Sequence, residues 1–150
     1  MQALRNRLHW FTVPKNLLLF DFVGALVTSL STGLLLTTIL PTGLPVWILF
    51  ALSITAAGFA CVDVVAYCYW PNQCWPVMVV GLLNLSYCVA VIAALLVFRP
   101  QITSIGTIYF AVECTIVIPL AVFELMVARH CRLRSRTNNP MERGEGSAAS

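Results

Sequence analysis

Four carboxylates stand in a stretch of the chain that offers them almost no counter-charge. From residue 16 to residue 128 the only charged residues are Asp21, Asp63, Glu113, Glu124 and a lone Arg99. An acid inside an apolar segment is expensive, usually faces protein or a water-filled cavity, and marks an ion or proton pathway by default. Three kinds of chemistry are open to it. A protonated carboxyl can donate a hydrogen bond that locks helices together; a titrating carboxyl can carry protons through a coupled cycle; an ionised one can hold a cation or a cationic amphiphile.

Spacing places these groups on common faces. Glu113 and Glu124 are eleven residues apart, close to three helical turns, so they project from one side of a helix together with Tyr109, Val117 and Leu120. Asp63 falls in line with Ser53, Ala56, Ala60 and Tyr67, and Asp21 with Gly24, Ala25, Thr28 and Thr32. Gly81, Asn84 and Cys88 form a third stripe, with Tyr87 beside it. Stripes of small and polar residues let membrane helices approach closely and bond to one another. The spacing predicts an interior seam in which Glu113 and Asp63 carry the exchangeable charge and Asn84, Tyr87 and Tyr109 orient them. Asp21 and Glu124, about a turn inside the apolar segments, are expected at a cytoplasmic entrance, within reach of ordinary interfacial ion pairs.

The elements that must hold this seam are membrane spans. The 150 residues are 59% hydrophobic and 10% charged, with mean hydropathy +0.87, whereas soluble domains are about a quarter charged. That balance excludes a soluble globule, a disordered chain and a nucleic-acid binder. A span needs about 20 apolar residues, and breaks at Pro41, Gly43 and Pro45, at 70–76, and at Arg99 and Pro100 divide the apolar stretch into four. Spans are expected at 17–40, 46–69, 77–98 and 102–128, making an all-α, four-helix integral membrane bundle. Pro119 should kink the fourth span between its two glutamates.

Charge also orients the bundle. Arg5, Arg7 and Lys15 form a basic arm over 1–15, and Arg129, Arg132, Arg134 and Arg136 follow the last span, so both ends are expected in the cytoplasm. Those arginines also suit anionic lipid headgroups. The tail 129–150 reads as basic and then disordered. The apolar run after the basic start exceeds the h-region of a signal peptide and is read as a retained span.

Six cysteines invite a disulfide reading, but this topology opposes it. Cys74 and Cys131 fall on the reducing side, Cys61, Cys68, Cys88 and Cys114 within spans, and there is no C-x-x-C. All six are expected as free thiols, with Cys131 a candidate for palmitoylation. No phosphate loop, zinc-ligand spacing or Ser/His/Asp set is present, so no catalytic residues, metal or cofactor are expected.

Phe20-Asp21 with Gly24-Ala25, Gly43 with Pro45, Asn84-Leu85 with Tyr87-Cys88, and Tyr109-Phe110 with Glu113 and Glu124 resemble uncharacterised small four-helix inner-membrane proteins of bacteria. The resemblance covers most of 16–128 and implies a multi-pass inner-membrane location without supplying an activity. Small multidrug transporters are similar in size, span number and a membrane glutamate, but place that acid early in the first helix, where this chain has Asp21. A small proton- or cation-coupled transporter or channel-like protein is the expected function, with a non-catalytic scaffold or accessory subunit as the alternative. The lipid bilayer, a second copy of the chain or a membrane subunit are the expected partners.

Overall fold

The computed structural model describes residues 14–39, 42–71 and 73–137. Four helices account for nearly all of them. α1 runs over Pro14–Leu30 and continues through a π-helical segment, Ser31–Leu35, into a last turn, Leu36–Thr38; α2 is Val46–Tyr69, α3 is Cys74–Val97 and α4 is Ser104–Thr137. Each contains a segment long and apolar enough to cross a membrane. The number of spans therefore matches the sequence expectation. Most ends fall within three residues of it; α3 starts at Cys74 because Pro76 is tolerated in a first turn, and α4 continues well past residue 128 because its arginines are good helix formers. Residues up to 13, including Arg5 and Arg7, and those from 138 onward lie outside the described residues, as do the side chains of Arg134 and Arg136.

The distribution of polarity is inverted relative to a soluble bundle. Ile54, Val89, Leu96 and Ile116 are among many large apolar side chains that are mostly exposed, while Asp21, Thr32, Asp63, Asn84, Glu113 and Glu124 are buried. An exposed apolar surface of this extent has its natural solvent in lipid. With lipid outside, helix association depends on close packing and polar contacts.

Two hairpins make up the bundle, α1 against α2 and α3 against α4. In the first, the hydroxyl of Ser29 donates to the Ser53 carbonyl at 3.0 Å and that of Ser53 to the Ser29 carbonyl at 2.8 Å. In the second, Gly81 lies where a side chain would press on the Ala121 carbonyl at 3.1 Å and the Glu124 Cβ at 3.3 Å. That close approach carries Glu124 to the level of Asn84.

The hairpin turns meet at one end of the bundle. Thr103 N–H donates to the Thr42 carbonyl at 2.9 Å. Gly43 has φ +77°, a conformation that favours glycine, and a Cβ there would overlap the Gln101 carbonyl. At the opposite end Lys15 Nζ sits 4.9 Å over the ring of Tyr67, and Trp70 and Trp75 stack edge to face at 5.0 Å.

The same end corrects the cysteine expectation. Cys74 and Cys131 form a disulfide, their Cα atoms 5.9 Å apart, while Cys61, Cys68, Cys88 and Cys114 are free. The extension of α4 brings Cys131 level with the start of α3, where Cys74 stands. Compartment alone said nothing about that proximity. While its sulfur is in this bond, Cys131 has no free thiol for palmitoylation.

Candidate functional site

The acids divide into two groups set at different depths. In the first, α1, α2, α3 and α4 each contribute one polar side chain to a buried cluster. Asn84 Nδ2 donates to Asp21 Oδ1 at 2.9 Å and to Glu124 Oε2 at 3.3 Å. Asp63, fully buried, lies against Asp21 and within electrostatic reach of Glu124. Three carboxyls thus converge around one amide. Asn84 supplies only two N–H groups, so Asp21 Oδ2, Glu124 Oε1 and both oxygens of Asp63 are buried with no donor among the described residues. No Lys, Arg or His occurs in 16–98 or 100–128 to balance them.

The second group is nearer the hairpin turns. Glu113 on α4 accepts from the Tyr87 hydroxyl of α3 at 3.2 Å, and its other carboxylate oxygen has no donor among the described residues. Tyr87 is held in turn by an edge-to-face contact with Phe59, ring centroids 6.3 Å apart. Asn84 and Tyr87 are three residues apart on α3, so one helix face serves both groups.

A cavity of about 300 Å³ joins them. Asp21, Asn84, Tyr87 and Glu113 reach its wall together with Thr28 and Phe59; Asp63 and Glu124 do not. Most of the remaining lining is apolar and comes from α1 and α4.

Several expectations meet a different geometry. Asp21 and Glu124 are not at an open entrance: they are 4% and 1% exposed and bound to the same amide. Both helices extend beyond these acids toward the disulfide end and cover them. Tyr109 does not orient the acids. Its hydroxyl pairs with Ser31 Oγ at 2.6 Å, at the π-helical segment of α1, with Thr32 Oγ1 at 3.5 Å. A π-helical turn widens the helix and redirects side chains, which accounts for Ser31 and Thr32 facing the same tyrosine. Pro119 lies within α4 between the two glutamates, and the helix continues through it. Arg129 and Arg132 are exposed on the last turns of α4. Helical phase places Ser53 on the Asp63 stripe but does not single out its partner Ser29, although it is a small polar residue inside a span. Among the described residues no three His, Cys, Asp or Glu side chains are grouped as a metal-ligand set. No known protein-family model, curated protein or solved structure matches the chain.

Proposed function

We propose that this chain is a small multi-pass membrane protein that exchanges protons or cations through its interior acids. One observation carries the reading. Three carboxyls gather around a single amide that bonds two of them, with no basic residue in 16–98 or 100–128, leaving four buried oxygens without a donor among the described residues for a proton or a cation to satisfy. Glu113, on the cavity wall, is the group that meets the exchanging species, Tyr87 positions it, and Asp21, Asp63 and Glu124 form the store behind it. No covalent catalysis and no cofactor enter this scheme.

The protein sits in the inner membrane of the cell with both ends cytoplasmic, an orientation supported by the basic residues Arg5, Arg7, Lys15, Arg129 and Arg132 at one end of the spans. The Cys74–Cys131 bond then lies on a reducing side and is opened by cytosolic thiols. After reduction, a membrane-impermeant maleimide should label Cys131 in inside-out vesicles; labelling confined to right-side-out vesicles reverses the orientation.

A second reading has its own support. Asn84 ties α1 to α4 through two acids, and such a clamp alone would suit a scaffold or an accessory subunit, alone or in a homo-oligomer. Proton flux in liposomes separates the two. Exchange predicts a pH-driven flux that Glu113→Gln abolishes; an unaltered flux in the variant, or none from the parent chain, removes it in favour of the clamp.

A further inference from the structure

The two hairpins leave a gap. α1 packs on α2 and α3 on α4, but α1 and α4 meet only sparsely, and the cavity of about 300 Å³ lies between them. Its rim is formed by Phe20, Val23, Val27 and Ile116, each more than half exposed. All four stand within spans, at a level where the surrounding medium is lipid. The cavity therefore opens sideways into the bilayer, not along the bundle toward water.

Its floor has the opposite character. Glu113 and Asp21, each more than nine-tenths buried, line it, and each keeps behind that wall one buried carboxylate oxygen with no donor among the described residues. Such an oxygen is satisfied by an N–H donor and by positive charge. Phe59 and Tyr87 beside it add aromatic faces, which attract cations and accommodate apolar groups. A second cavity, of about 220 Å³ between Cys61, Val65, Trp70, Trp75 and Val79, has apolar walls and no charged group. Charge thus distinguishes the opening between α1 and α4 from a simple packing defect.

We infer that this opening is a binding site for amphiphilic protonated amines, which reach it from the bilayer. The Glu113 side chain turns its unpaired oxygen into the cavity to accept from the ammonium, and the apolar body lies between Phe20 and Ile116. A volume of about 300 Å³ is at the small end of pockets for drug-sized ligands, so an arylalkylamine fits better than a bulky polycyclic cation. The site deepens the exchange reading, in that the amine takes the place of the proton on Glu113, but binding is measured separately from flux.

The test uses the full chain in lipid nanodiscs with 4-phenylbutylammonium as probe, and empty nanodiscs to subtract partition into lipid. The neutral alcohol of the same skeleton and its trimethylammonium analogue, which lacks an N–H, serve as competitors. Saturable binding is expected, at least about tenfold tighter for the amine than for either analogue. Glu113→Gln should weaken it by at least about tenfold. Gly24→Leu is the second variant: Gly24 lines the cavity and a Cβ there meets nothing within 4 Å, so the side chain fills the space without disturbing the acids. It should block the amine to a similar extent. Binding no greater than in empty nanodiscs, equal affinity for the alcohol, or full affinity in both variants overturns the inference. A change of oligomeric mass in Gly24→Leu with amine affinity retained assigns the opening to a second copy of the chain and also overturns it. Flux that survives where amine binding fails sinks only the amine site; amine binding that survives where flux fails sinks only the exchange.

Discussion

The interior of the bundle holds acids in two settings. Around Asn84, three carboxyls from three helices are buried, and one amide serves two of them while Asp63 is left with none. Around Tyr87, a single carboxyl accepts from the tyrosine hydroxyl, has Thr28 as a neighbour and lines a cavity with a largely apolar wall. The first setting gathers three carboxyls and touches the cavity only through Asp21 and Asn84; the second has a single carboxyl, which lines the cavity itself. A buried charge without a partner is neutralised or matched by something that arrives from outside. The difference teaches that one face of α3 organises the acids in two groupings, with Asn84 and Tyr87 one turn apart serving one each.

Substitutions can break that contrast. The largest effect on stability is expected from Asn84→Leu, which removes both donors from the buried cluster and should destabilise the bundle by about 2 kcal/mol in detergent or lipid unfolding. Asp63→Asn should act in the other direction. It replaces a carboxyl that has no donor by an amide that can donate to Asp21 or Glu124, giving about 1 kcal/mol of added stability together with loss of proton flux. A smaller loss, about 0.6 kcal/mol, is expected for Tyr87→Phe, because a lone interhelical bond in a membrane contributes about that much. Ser53→Ala, in the α1–α2 contact away from both acid groups, should cost no more than Tyr87→Phe and leave flux unchanged. Equal costs for Asn84→Leu and Ser53→Ala would erase the distinction between the buried cluster and an ordinary interhelical contact.

Much of the architecture was legible because bilayer thickness and proline positions leave little choice. Apolar runs of span length separated by Pro41–Pro45, 70–76 and Arg99–Pro100 can only be four helices. Helical phase also identified the acids, with Asn84 and Tyr87, as inward-facing. Phase does not give partners. Tyr109 shares the Glu113 face one turn away, yet that turn brings it to Ser31 on the π-helical segment and away from the acids. Asp21 and Glu124 looked interfacial because apolarity ends nearby, but helix and hydrophobic span are different lengths, and α1 and α4 continue past them. The reducing compartment assigned to both thiols opposes the Cys74–Cys131 bond but says nothing of how close α3 and the extended α4 bring them. The lateral cavity depends on how two hairpins lean on each other, which no residue pattern within one helix encodes.

The central claim is that the interior carboxyls change protonation while buried, and infrared difference spectroscopy of the chain in nanodiscs reads this directly. Between acidic and basic buffer the account predicts a carboxylic C=O band that appears and disappears reversibly, with one component removed by Glu113→Gln and another by Asp63→Asn. A spectrum without any such carboxyl change across that range, from a correctly folded chain, would contradict it.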